Sequence, residues 1–377
     1  MDGLPHLPGD IVNSIFFKLP VKSLTRFKSC CKSWYGCIDD ADFIKSHLHK
    51  SSIDISRKKI ILVNSIFLRR EGTHKFKIVS TEASINADSK VVYLNIPEFF
   101  NDYFSLEVFS CSGLIFMTSY EIRYCMTLFN PVVGKYKLIP NSLFSQKTKP
   151  NRCSISPIFG FAYDFVAEDY KVICVHCLID VNFNVVEVYS VKNQCWRAIH
   201  NTFPVSPDSY YQHLYSNQVS LNGVIHRMSY NGAVISFHLV DEKFIVTPVP
   251  STCGERPTLH ALGDGVCVFT TVGGENLIWS LEKDRWNCIN KFPTLLSLLG
   301  IPILYVPIAG VKYLSVGAFL FVKENGNILW RKHNGSFIEY DLPKNEYTEF
   351  ESKQVPPFTA SKALYVESLV SLKIPWD

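Results

Sequence analysis

Five stretches decide how this chain folds: TLFNPVVGKYKLI at 127–139, VEVYSVKNQCWRAI at 186–199, ISFHLVDEKFIVT at 235–247, LIWSLEKDRWNCI at 277–289 and IEYDLPKNEYTEF at 338–350. Each places two aromatic residues seven apart: Phe129 and Tyr136, Tyr189 and Trp196, Phe237 and Phe244, Trp279 and Trp286, Tyr340 and Tyr347. Between the aromatics each stretch after the first has at least one charged or amide residue, and the first has Gly134 and Lys135, the chemistry of a turn that joins two strands. Upstream, Gly223, Gly265 and Gly326 each stand fourteen residues before the first aromatic, and Gly113 stands sixteen before it. Each glycine opens or precedes a further apolar run. The repeated unit is therefore strand, strand, turn, strand.

The first aromatics, at 129, 189, 237, 279 and 340, are 60, 48, 42 and 61 residues apart. These intervals bracket the length of a four-stranded propeller blade. A degenerate first copy fits in 57–110, where KKIILVN, HKFKIVS and KVVYLNI are strand-like. The last apolar run, ALYVESLVSL at 363–372, is placed to join that first copy and so to pair otherwise exposed edges. The expected architecture for 57–377 is an all-β propeller of six blades, with a pair of β-sandwiches as the alternative.

Residues 1–50 follow a different period. Pro8 suits a first helical turn, and Ile11, Val12, Ile15, Phe16 and Leu19 then form one apolar stripe, ended by Pro20. A second short helix holds Val21, Leu24 and Phe27, a third runs through Cys30, Cys31, Trp34 and Cys37, and a fourth begins near Asp40. A helical unit this small buries too little surface to stand easily alone. It must lean on the rest of the chain or on a partner.

Composition narrows the function. The chain has 377 residues, 47% hydrophobic and 19% charged, which suits a folded core and not a disordered chain. Its net charge is +4, and that surplus lies entirely within residues 1–59, so nucleic acid is not expected as a partner. Residues 292–311 carry no charge over a length that could span a membrane. Pro302 and Pro307 break that run into strand-sized pieces, so a buried β segment is expected and no membrane span. The twelve cysteines are scattered, and no secretory leader precedes them, which points to reduced thiols in the cytoplasm or nucleus.

Enzyme signatures are missing. There is no Walker loop, no H-E-x-x-H and no G-x-S-x-G. Cys174-x-x-Cys177 encloses His176, but its alternation reads as a strand and no second ligand pair accompanies it, so neither metal nor cofactor is expected. His226, His238 and His260 read as core or edge residues. Asp264, Glu275 and Asp284 read as solvated turn residues and not as a catalytic carboxylate set. The loop at 201–217, with Tyr210, Tyr211, His213 and Tyr215, is the candidate for gripping another protein, because tyrosine offers large area with one polar end.

LPGDIVNSIFFKLPVKSLTRFKSCCKSWYGCIDDADFIKSHL at 7–48 resembles the F-box, and plant F-box proteins in particular. The likeness is carried by Leu7-Pro8, the run Leu19 to Leu24, Arg26-Phe27, Lys32-Ser33-Trp34, Phe43 and His47-Leu48. Ser14 replaces an acidic residue and Cys30 a valine of the usual pattern. FNPVVGKYKLIP, FGFAYDFVAEDYKV, VEVYSVKNQCWRAI and LNGVIHRM resemble the F-box-associated, kelch-related region of the same proteins, and the first half is similar to the S-locus F-box group. The resemblance implies an adaptor-binding F-box at 1–50 and a substrate-binding propeller at 57–377. It implies a non-catalytic receptor subunit of a cullin-RING ubiquitin ligase, in which the Skp adaptor bridges to the cullin and RING subunits and a target protein is held for degradation. Leu7, Pro8, Ile11, Ile15, Leu19, Pro20, Leu24, Cys30 and Trp34 are the implied adaptor contacts, with Leu24 and Trp34 as anchors. The S-locus likeness implies an S-ribonuclease as target. The rival expectation is an adaptor-independent scaffold with a vestigial F-box.

Overall fold

The computed structural model describes residues 8–68, 73–102, 106–119, 124–147, 157–178, 183–200, 203–204, 218–229, 232–251, 257–272, 275–282, 285–293, 305–308, 311–314, 318–322, 327–332, 336–352, 355 and 361–372. Four helices come first: α1 (Gly9–Lys18), α2 (Val21–Phe27), α3 (Lys32–Asp39) and α4 (Ala41–Ile53). A single 3-10 turn at Ile55–Arg57 leads into the first strand at Lys58. From there the described residues form six four-stranded antiparallel sheets and one extra hairpin.

The sheets are the blades of a propeller. Blade 1 takes three strands from Lys58–Leu94 and its innermost strand, Ser361–Val366, from the far end of the chain. Blades 2 to 6 are built in sequence order, starting at Glu107, Ile158, Gln218, Thr258 and Ala318. Glu107–Cys111 therefore opens blade 2, although the repeat pattern had assigned residues up to 110 to the first copy. The hairpin, Tyr305–Ile308 with Val311–Leu314, lies between blades 5 and 6. The uncharged run at 292–311 thus contributes strands where it is described, and none of the described helices is long and apolar enough to cross a membrane.

The core is not one cluster but a ring of them. Ile61, Val63 and Phe76 meet Val108 and Ile115 between blades 1 and 2. Phe109 and Phe116 meet Phe159 and Val172 between blades 2 and 3. Ile173 and Val175 meet Ile225 and Phe237 between blades 3 and 4. Val234 meets Leu259 and Val268 between blades 4 and 5, and Phe269 meets Trp330 and Ile338 between blades 5 and 6. Ile60, Leu62 and Val79 meet Leu329 and Phe337, which closes the circle from blade 6 to blade 1. Successive residues of a strand point to opposite faces, so Leu128 serves one interface and Phe129 the next. That is why interior strands such as Met126–Asn130 are buried at every position. It is also why they lack the polar–apolar alternation of a sheet with one wet face. A sandwich pair would not give a closed series of single-interface clusters.

The aromatic repeat has a geometric cause. Phe129 faces Tyr136, Tyr189 faces Trp196, Phe237 faces Phe244 and Tyr340 faces Tyr347 directly across the third and fourth strands. The rings of Phe237 and Phe244 are 4.6 Å apart and those of Tyr189 and Trp196 are 5.2 Å apart. In each case four loop residues intervene, and the last of them, Gly134, Gln194, Glu242 or Asn345, has positive φ. Blade 5 departs from this: it pairs Glu282 with Arg285, which moves Trp279 opposite Cys288 and Trp286 opposite Leu281. The upstream glycines serve a second turn. Ser112-Gly113 and Asn222-Gly223 have positive φ at both positions, the mirror-image hairpin that matches strand twist.

His176 is buried and His226 half-buried, and each has a serine as hydrogen-bond partner. His176 Nε2 lies 2.8 Å from Ser142 Oγ and 3.2 Å from Cys174 Sγ, and His226 Nδ1 lies 2.8 Å from Ser236 Oγ. Burial lowers both pKa values from 6.5 to about 4, and for His226 the nearby His238 adds to the effect.

Two outcomes are expected. Truncation after Ala360, which removes the closing strand, should abolish cooperative unfolding; an unchanged thermal transition followed by circular dichroism contradicts the ring. Acid should destabilise the chain, because the unfolded state binds protons at its histidines near pH 6.5 while the folded state resists until about 4. Stability should fall as pH drops from 6.5 toward 4, because the two depressed histidines outweigh Glu107, whose carboxyl is raised to about 8 and acts in the opposite sense. Equal urea midpoints at both ends of that window would refute it.

Candidate functional site

The four helices form a small module with one core, and α1 leaves apolar side chains exposed outside it. Pro8 and Pro20 fix the entries to α1 and α2. The Cys31 thiol accepts the Trp34 N–H at 3.4 Å, so α3 begins at Lys32, and Cys30 falls in the preceding turn. Asp40 caps α4 by accepting the Phe43 N–H at 2.9 Å. His47 donates from Nε2 to the Leu19 carbonyl at 3.0 Å, which pins the junction of α1 and α2. Burial lowers the His47 pKa, and the nearby Arg57 and Lys50 add to the effect. Arg57 donates to the Lys18 carbonyl at 3.0 Å and to Ser51 Oγ at 3.1 Å, a cation placed at the C-terminal end of α1.

The expected contact residues divide into two groups. Ile11 and Ile15, one helical turn apart on α1, are 47% and 44% exposed, and Pro8, Pro20 and Cys30 are exposed with them. Leu19 and Trp34 are half-buried; the Trp34 ring centre is 5.4 Å from both Phe16 and Phe27, so only part of the indole is open. Leu24 corrects the expectation. It is wholly buried, packed with Phe16, Val21, Ile38 and Phe43. The seven-residue α2 offers one apolar stripe, Val21 and Leu24, and the module's own core needs it. Leu24 is therefore a core residue and not a docking anchor. Leu7 lies outside the described residues, as do Tyr210, Tyr211, His213 and Tyr215.

Sequence reasoning missed a groove of about 470 Å³ between α1, α3 and α4, which combines exposed Asp40 and Asp42 with apolar Phe17 and Phe43. It also missed what the module rests on. Val132, in the last turn of blade 2, packs against the helical core, and Lys45 Nζ reaches Glu168 Oε1 of blade 3 at 2.6 Å. In an antiparallel blade the first and third turns share one face of the ring, and the second turn and the link to the next blade share the other. Val132 and Glu168 are on the first face. The ends of the 200–217 link, Ile199 and Gln218, are on the opposite face.

The ring carries ionisable groups on its innermost strands. Burial raises Glu107 to about 8 against the pull of Arg227. Burial lowers Lys362 to about 7, and burial with Lys362 nearby lowers His260 well below the usual range. Asp264 and Glu275 stand at opposite ends of the strand Gly265–Val272 and so cannot converge. Asp284 lies outside the described residues. Among the described residues no three His, Cys, Asp or Glu side chains gather as metal ligands.

Comparison with known proteins agrees with this two-part architecture. Residues 4–46 match the F-box domain, and residues 56–289 match the F-box associated beta propeller domain. The F-box/kelch-repeat protein At3g23880 of Arabidopsis thaliana is 26% identical over 88% of this chain and 90% of its own length. The F-box protein CPR1 of the same plant is 23% identical over 97% of this chain and 88% of its own length. With an F-box of four short helices seated on a closed ring of six blades, the chain belongs to the F-box-associated β-propeller family of F-box proteins.

Proposed function

We propose that this chain is the substrate-recognition subunit of an SCF-type cullin-RING ubiquitin ligase. The observation that carries the proposal is the exposed pair Ile11 and Ile15 on α1, with Pro8, Pro20 and Cys30 also exposed, on a module whose own core takes in Leu24. Apolar side chains left out of a complete core gain free energy when a partner covers them, about 1.5–3 kcal/mol for each fully buried Ile. The partner is the Skp adaptor, and through it the cullin and RING subunits. The chain forms no bond itself. It raises the effective concentration of target lysines beside the ubiquitin-charged enzyme. The target docks on the face opposite the F-box, where the long links between blades begin and end. An S-ribonuclease is the target class that the S-locus motifs suggest, and the cytoplasm and nucleus are the compartments that suit the ten free cysteines among the described residues.

Affinity purification after proteasome block tests this reading. Co-purified adaptor and cullin support it; their absence leaves the adaptor-independent scaffold. Ile11→Asp with Ile15→Asp should abolish adaptor capture and leave the thermal transition in place. Leu24→Ala should act in the other order, lowering stability by about 2–5 kcal/mol in chemical denaturation. Adaptor capture that survives the double Asp variant refutes the assigned face.

A further inference from the structure

The segment after the closing strand lies between the two parts of the molecule. Its side chains alternate between them. Leu369 is 4% exposed and sits in the F-box core with Phe16, Val21, Leu24, Ile38 and Phe43. Val370 and Leu372 pack against the cluster between blades 2 and 3. Ser368 is fully buried and donates from Oγ to the Gly113 carbonyl at 2.8 Å. Asn130, also fully buried, donates from Nδ2 to the carbonyls of Val370 at 2.8 Å and Ser368 at 3.1 Å. Its Oδ1 accepts the Val132 N–H at 3.0 Å, which shapes the turn that presents Val132 to the F-box. Glu367 carries Lys22 of α2 at 3.8 Å and Lys59 of blade 1 at 3.5 Å. A Cβ on Gly113 would meet Ser368 Cβ at 2.3 Å and Leu48 Cδ1 at 3.1 Å, so helix α4, tail and blade turn converge on one point.

We propose that residues 367–372 are a positioning clamp: Leu369 completes the adaptor-docking module, and Asn130 and Ser368 hold that module in a fixed orientation on the propeller. This rests on the adaptor reading above and adds residues to it from the opposite end of the chain. The F-box is too small to hold its exposed face in shape without help. The fraction of molecules with a formed docking face sets the apparent adaptor affinity. Because the same segment continues from the strand that closes the ring, docking is coupled to closure. Asn130 and Leu369 act through α1 and α2 and not by touching the adaptor.

The test uses the full chain. Wild type, Leu369→Ala, the conservative Leu369→Met and Asn130→Ala are titrated with purified Skp adaptor, and amide hydrogen exchange is followed in α1–α4 and in blades 4 and 5. The expected result is a loss of adaptor affinity of about tenfold or more for Leu369→Ala, with rescue by Leu369→Met. Exchange should quicken in the four helices and stay unchanged in blades 4 and 5. Asn130→Ala, which keeps the apolar contact and cuts the hooks, should loosen the helices less and still weaken capture; it decides the matter if Leu369→Ala does not fold. Wild-type affinity and wild-type helix exchange in both alanine variants overturn the clamp. If the wild-type chain itself captures no adaptor, the ligase reading fails instead. The clamp then stands or falls on helix exchange alone.

Discussion

A twisted sheet buried on both faces needs a neighbour on each side, and a row of such sheets has no natural end. The pairing of Ser361–Val366 with Lys58–Val63 supplies that end. It gives blade 1 its innermost strand and, with Ile60 and Leu62 against Leu329 and Phe337, turns six interfaces into a closed series. Every other part of the molecule depends on this one long-range contact. The blades' apolar side chains are covered because the series closes, and the first and third turns of the blades make the face that carries the F-box. The strand that closes the ring is drawn from sequence about 300 residues away from its partner, so its entropic cost is that of a long loop, which grows only slowly with length.

The closure also brings residues 367–372 against the N-terminal helices. The residues that leave the closing strand enter the F-box core within three positions, at Leu369. The N-terminal module is then held by contacts with blades 1, 2 and 3: Lys59 through Glu367, Asn130 through the tail carbonyls, Gly113 through the Ser368 hydroxyl, and Glu168 through Lys45. The buried hydrogen bonds of Asn130 and Ser368 contribute more to this than the exposed Lys45–Glu168 pair, since solvent screens surface charges. A receptor that works by proximity gains from such stiffness. A fixed orientation between adaptor face and target face limits which target lysines come near the reactive centre.

Much of the architecture was legible before folding. The seven-residue aromatic spacing marked the third turn of blades 2 to 6 because a four-residue loop with a left-handed last residue puts those two positions opposite one another. Where the loop is tighter, as in blade 5, the spacing persisted but the pairing moved by two residues. The helical stripe of α1 was legible too, since Phe16 and Ile15 lie on one apolar run. What could not be read was which member faces in: Phe16 is buried and Ile15 exposed. Leu24 shows the same gap. A short helix has a single apolar stripe, and only its neighbours determine whether that stripe meets the chain's own core or another protein.

By itself the sequence determined local matters: helix starts at Pro8, Pro20 and Asp40, hairpins at Ser112-Gly113 and Asn222-Gly223, the strand-rich repeat and its length. These follow from short-range sterics and hydrogen bonding, which each segment carries with it. The tertiary structure alone decided that Leu24 belongs to the core, that Leu369 completes it from the other end of the chain, and that the F-box meets the face opposite Ile199 and Gln218. Those outcomes depend on contacts between separate elements, from Leu24 against α1, α3 and α4 to Leu369 against the opposite end of the chain, and no local pattern records which elements meet.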